Sequence, residues 1–189
     1  YQKHDLIIND PIRSKCIAKC IDVLSPKTIE DQIQSVICRP PYDNEKEENG
    51  RYIDLSEQKA VELLTELIQN KQINEHLALL LKGEQRYGTK VGFHFGKLIE
   101  DKLALFNDFV KEFKKIDPKE SNPSVIAGLL QYIKQMDTIL YHQIIQSLLR
   151  DDFMNLFLFD IIRMQDLDAY DLSVIEQLVE TKLVNPNQF

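Results

Sequence analysis

The chain has 189 residues, with 23 Lys+Arg against 30 Asp+Glu, a net charge of −7, six glycines, seven prolines, three cysteines and no tryptophan. A compact chain of this length buries about 70% of its unfolded surface, enough for one core without a disulfide or metal staple. Scarce Gly and Pro argue against sandwiches, propellers and collagen-like designs. The acidic balance disfavours a nucleic-acid reader, which needs cations to release counterions.

The charge is uneven: residues 151–189 carry −6 of the net −7. Such polarity points to a neighbour or partner. Cys16, Cys20 and Cys38 are an odd set, two of them four apart, and read as free, partly buried thiols in a reducing, cytoplasmic setting. No signal-peptide pattern and no membrane-length apolar run is seen. The chain begins at Tyr1 and not at Met, so it is expected to be a piece of a longer protein, with residues 1–189 forming a single helical-repeat domain.

Helical periodicity dominates along the whole chain. Ile12, Cys16, Ile17, Cys20, Ile21 and Leu24 mark an amphipathic helix, and Ser25-Pro26 reads as the cap and first-turn proline of the next. That second helix carries Ile29, Ile33, Val36 and Ile37, and Pro40 and Pro41 end it. Residues 42–50, YDNEKEENG, read as a flexible acidic loop. Asp54 or Ser56 then caps a helix with Val61, Leu63, Leu64, Leu67 and Ile68, and a shorter helix around Ile73 to Leu81 closes at Gly83.

From Glu84 to Ile99 the apolar stripe Tyr87, Val91, Phe95, Leu98 and Ile99 runs beside Gly88, Gly92 and Gly96. Glycines four apart stack into a ridge without side chains, at about 1 kcal/mol each in helix propensity relative to alanine. Close approach of a second helix offsets that cost most simply; a ligand or partner at the ridge is the other account. Leu103, Phe106, Phe109, Val110 and Phe113 mark the next helix, whose polar face holds Lys111, Lys114 and Lys115. Ser121-Asn122-Pro123 starts a helix, with Asn as N-cap and Pro in the first turn, followed by Val125, Ile126, Leu129, Leu130 and Ile133. Asp137 begins another, with Ile139, Leu140, Ile144, Ile145, Leu148 and Leu149. Phe153, Leu156, Phe157, Ile161 and Ile162 form a third. The last begins near Asp171 with Leu172, Ile175, Leu178 and Val179.

Catalytic patterns are thin. His4, His76, His94 and His142 are scattered, and Cys16 with Cys20 makes only half of a zinc site. No catalytic residue, metal ligand or cofactor site is assigned. Asp151, Asp152 and Asp171 read as helix N-terminal caps, with an acidic docking surface as the alternative. Phe159 lies on the opposite side of its helix from Phe157, and Phe93 lies off the Val91 and Phe95 stripe. Phe93 and Phe159, with Asp160, Asp166 and Asp168, are therefore the candidate interface.

The run from Asn122 to Asp152, with its Asn-Pro start, small Ala127-Gly128 pair and two amphipathic helices, resembles a unit of HEAT or armadillo-like solenoid proteins. Residues 84–152 also resemble helical-repeat regions flanking NTPase modules in large bacterial proteins, and no Walker motif is present here. The resemblance implies stacked antiparallel hairpins in a scaffold or sensor. It transfers no catalytic residue.

The expected fold is all-α, a HEAT-like α-solenoid, with an irregular bundle as the alternative. The expected function is non-catalytic interaction with another protein or with other domains of the same chain, without membrane insertion. Two alternatives stand beside it. One is nucleic-acid binding along Lys97, Lys102, Lys111, Lys114 and Lys115. The other is an enzyme or small-ligand domain with Tyr87 and His94 lining a pocket at the glycine ridge.

Overall fold

A computed structural model describes residues 11–38, 44–46 and 52–181. Among the described residues the protein is all-α apart from one small ladder and an isolated bridge between Lys82 and Ser121. Among the described residues are ten helices: α1 (Pro11–Leu24), α2 (Ile29–Ile37), α3 (Leu55–Gln69), α4 (Ile73–Leu80), α5 (Gly88–Leu98), α6 (Lys102–Phe113), α7 (Ser124–Met136), α8 (Thr138–Leu149), α9 (Asn155–Arg163) and α10 (Ala169–Glu180). No described helix is long and apolar enough to cross a membrane.

Several local expectations change. α2 starts at Thr28 and not at Ser25-Pro26, because Thr28 finds Asp31 three residues on and the two close a reciprocal capping box. The segment expected as a loop contains a strand. β1 (Asn44–Lys46) pairs antiparallel with β2 (Tyr52–Asp54), Glu45 opposite Ile53, giving the backbone inside the acidic run hydrogen-bond partners. Residues 42, 43 and 47–50, like Pro40, Pro41 and His4, lie outside the described residues. Cys16 and Cys20 are exposed, as is Ile17, so this face of α1 is not against the core. Cys38 is also exposed, and its thiol donates to the Glu84 carbonyl at 3.0 Å.

α5 begins at Gly88 and not near Glu84. The Tyr87 N–H donates to the Ile37 carbonyl at 2.9 Å, which satisfies the end of α2 and keeps residues 84–87 as a connection. The connection after α4 is stitched to the one after α6. Gly83 N–H donates to the Glu120 carbonyl at 2.8 Å, Asn122 N–H to the Leu81 carbonyl at 2.9 Å, and the Asn122 amide to the Gly83 carbonyl at 2.8 Å. Gly83 has φ +74°, a conformation glycine adopts without the usual side-chain penalty. Asn122 also accepts from the Ser124 N–H, but the N-cap of α7 is Pro123, whose carbonyl accepts from the Ala127 N–H, so the helix starts one residue later than Asn122 as N-cap would place it.

The core is one continuous cluster. Phe95 meets Phe109 edge to face at 5.6 Å, and Phe113 meets Phe157 at 4.9 Å. At its centre α5 and α7 run parallel. Gly88 lies beside Ser124, Gly92 beside Val125 and Leu129, and Gly96 beside Tyr132, while Gly128 reciprocates against Thr89 and Phe93. α6 returns between them, bringing Lys102 over the Tyr132 ring at 5.5 Å. Its far end pairs Lys114 with Asp151, just before α9.

A Cβ on Gly92 would overlap the Val125 carbonyl oxygen, and one on Gly128 would overlap the Thr89 carbonyl oxygen. On Gly96 it would meet the Tyr132 side chain at 2.6 Å. Backbone yields less than a side chain. Gly92→Ala and Gly128→Ala should each therefore cost about 3 kcal/mol, the upper end for overpacking, and Gly96→Ala less. Urea unfolding of the three variants checks the order; equal costs at all three positions would contradict main-chain contact.

Candidate functional site

Two buried titratable groups, Tyr141 and Asp171, meet Lys134 where α7, α8 and α10 come together; His76 and His94 are buried elsewhere. Asp171 is fully buried. It stands at the third position of α10, whose N-cap is Asp168, and the two carboxylates close a capping box: Asp168 N–H donates to Asp171 at 3.1 Å, and Asp171 N–H to Asp168 at 3.0 Å. The Tyr141 hydroxyl of α8 donates to Asp171 Oδ1 at 2.7 Å. Lys134 of α7 pairs with Asp171 Oδ2, lies 3.0 Å from Asp168 Oδ2, and donates to the Asp166 carbonyl at 2.7 Å. Its ammonium stands 5.4 Å from the Tyr141 ring centroid.

The electrostatics follow from this closure. Burial works to lower the Lys134 pKa, but hydrogen bonds and charge from Asp171 and Asp168 outweigh it and raise the pKa. Burial, reinforced by Asp171, holds the Tyr141 phenol well above its ordinary range. Burial works to raise Asp168, yet the Asp171 N–H and Lys134 bring it below the usual carboxylate range. The depressed Asp168 stabilises the fold above its ordinary value of 3.8, and this is lost as pH falls through the folded pKa. The raised Lys134 stabilises below 10.5, and this is lost as pH rises through its folded pKa. Every charged atom here faces a partner, so the cluster is a clasp between helices.

Four large apolar side chains lie exposed at the two helix junctions beside this clasp: Met136 (67%), the last residue of α7, Ile139 (72%) in the first turn of α8, Leu167 (48%) on the connection to α10 and Leu172 (52%) in the first turn of α10. Met136 and Ile139 flank the α7–α8 turn, within two residues of Lys134 and Tyr141 respectively. Leu167 stands between Asp166 and Asp168, and Leu172 follows Asp171. Ile139 and Leu172 were expected in core stripes, as was Leu156, which is also exposed. The buried face of α8 is Tyr141, Ile144, Ile145 and Leu148, and Ile139 is out of phase with it.

The expected interface residues divide. Asp166 and Asp168 lie at the clasped end, with Asp166 accepting from the Gln131 amide at 3.3 Å. Asp160 accepts from Arg163 Nε at 2.7 Å. Phe159 is buried, with the Arg163 guanidinium 5.9 Å from its ring, and so does not offer the exposed second face expected of it. Phe93 is half-buried in α5, edge to face with Tyr132 at 5.4 Å and with Lys97 5.0 Å from its ring. The lysines divide as well. Lys102 donates to the Ile99 carbonyl at 3.0 Å, Lys114 pairs with Asp151, Lys115 pairs with Glu112 at 2.6 Å, and Lys111 is exposed.

The glycine ridge does not open as a pocket, because the α7 backbone occupies it. A cavity of about 680 Å³ lies elsewhere, lined by Gln34, Cys38, Lys82, Glu84, Lys119 and Glu120 among others; Tyr87, Gly88, Gly92, His94 and Gly96 do not line it. Among the described residues no three His, Cys, Asp or Glu side chains are grouped to hold a metal.

Lys134, Tyr141 and Asp171 were not singled out as a group, because their spacing of seven and thirty residues forms no local motif. Compared with protein-family models, curated proteins and solved structures, the chain finds no significant match. The resemblance of residues 122–152 to HEAT-like units thus stands without a matching family.

Two predictions follow from these groups. Lys134→Met leaves Asp171 buried without its cation and should cost about 3–5 kcal/mol, whereas Lys134→Met with Asp171→Leu should cost clearly less than the two single changes summed. Additive losses in chemical denaturation would contradict the coupling. Burial lowers the His94 pKa, with Lys97 and Lys90 adding to this against the opposing Glu57 carboxylate at 3.5 Å. The unfolded chain then binds this proton first, so stability should fall as pH drops below 6.5 toward the folded pKa and stay level above it. Melting curves of the protein and of His94→Gln across pH 5–8 check this: the variant should lose that part of the slope.

Proposed function

We propose that this chain is a non-catalytic helical-repeat module, a scaffold or sensor built from stacked helical hairpins, that binds a protein partner or another domain through its clasped end. The alternation of direction supports the hairpin reading: α5 and α7 run parallel with α6 returning between them, and Lys134 brings the end of α7 to the start of α10. The observation that carries the interaction reading is the group Met136, Ile139, Leu167 and Leu172, held in the open at helix ends that a buried ion pair fixes in place. Exposed apolar groups on a pinned frame lose little conformational freedom when covered, which favours association.

The closed state of the Lys134, Tyr141 and Asp171 cluster also supports a binding role over a reactive one. A general acid or base needs an open face toward substrate, and these groups spend their hydrogen bonds on one another. A nucleic-acid reading has less support, since Lys102, Lys114 and Lys115 are engaged within the chain.

A photo-crosslinking residue placed at Ile139 or Leu172 should give a discrete protein adduct in cells, and one at exposed Asp108 should not. The adduct at Leu172 should weaken when Met136→Ser is added. Absence of adducts at both apolar positions, or equal adducts at Asp108, would overturn the reading.

A further inference from the structure

We infer that the partner at the clasped end is a basic amphipathic helix, a segment with Lys or Arg flanking an apolar stripe. This rests on the interaction reading above and adds the chemistry of the occupant. Residues 131–142 and 160–180 hold seven carboxylates and two cations. Both cations are engaged: Lys134 by Asp168 and Asp171, and Arg163 by Asp160. Asp137, Asp166 and Glu176 remain on exposed positions beside Met136, Ile139, Leu167 and Leu172. The surface is therefore apolar with an acidic surround. Cationic groups on an apolar ligand gain from that field, while acidic ligands and nucleic acids are repelled by it.

The backbone at this end selects the form of the ligand. α8 and α10 bond their main-chain groups along the helix, and Asp137 and Asp168 cap the two helix starts by accepting from Leu140 and Asp171 N–H groups. No sheet edge is offered here among the described residues, so strand addition has no template. A ligand that buries apolar surface against such an end must satisfy its own backbone, as a helix does.

The test uses the whole chain with three probes: an 18-residue Leu/Lys amphipathic helical peptide, the same design with Glu for Lys, and a scrambled Leu/Lys peptide without a continuous stripe. The expected result is one-to-one binding of the first by calorimetry, weakened by added salt. Amide NMR shifts should concentrate on residues 134–142 and 166–176. Ile139→Ser with Leu172→Ser should weaken binding at least tenfold, while circular dichroism and melting confirm that the variant is folded; these sites are exposed, so folding should hold. Equal binding of the Glu or scrambled peptide, or full binding by the double variant, would overturn the inference. Self-association abolished by Ile139→Ser would assign the end to a second copy and also overturn it. Crosslinks at Ile139 without Leu/Lys binding would sink the basic-helix inference and leave the interaction reading standing; loss of both would remove both.

Discussion

The close contact of α5 with α7 is the constraint on which the rest of the structure depends. Two helices usually meet through side chains and keep their axes 8–10 Å apart. Here Gly92 faces the backbone at Val125 and Gly128 faces the backbone at Thr89, so each helix offers a gap to the other. Reciprocal gaps accept only one register. Parallel helices in sequence also need a returning element, and α6 supplies it, placing Phe106, Phe109 and Phe113 in the core. Hydrogen bonds between residues 81–83 and 120–122 hold the connections around this centre.

At the opposite end of α7 the constraint is electrostatic. A buried ion pair adds little net stability compared with an apolar contact, but leaving one partner without the other is costly. Lys134 reaches Asp171, and the capping box makes Asp171 part of the start of α10. One contact thus fixes the position of α10 and the orientation of its first turn. The same contact holds Leu167 and Leu172 outside, since Asp171 turns inward and its neighbour turns out. An exposed apolar surface and a structural lock are then products of one local geometry.

Much of the helix pattern was legible because local signals carry it. Asp137 caps α8, and Asp151 accepts from the Phe153 and Met154 N–H groups. The errors came where two local signals competed or where a stripe needed a partner. Ser25-Pro26 resembled a helix start, yet Thr28 with Asp31 closes the two hydrogen bonds of the capping box. Ile139 and Leu172 were apolar residues next to real stripes, about half a turn and about a third of a turn out of phase with them. Cys16 and Cys20 lay on an apolar stripe that has no buried described position.

By itself, the sequence determined the all-α class, the order of the main helices, several of their caps and the unusual spacing of Gly88, Gly92 and Gly96. These depend on residues three or four apart, and local hydrogen bonding and helical geometry connect them. Tertiary structure alone decided that α7 fills the glycine ridge, that Lys134 meets Asp171 across 37 residues, and which apolar side chains stay in water. Those outcomes depend on distances between elements far apart in the chain, which no periodicity within one helix contains.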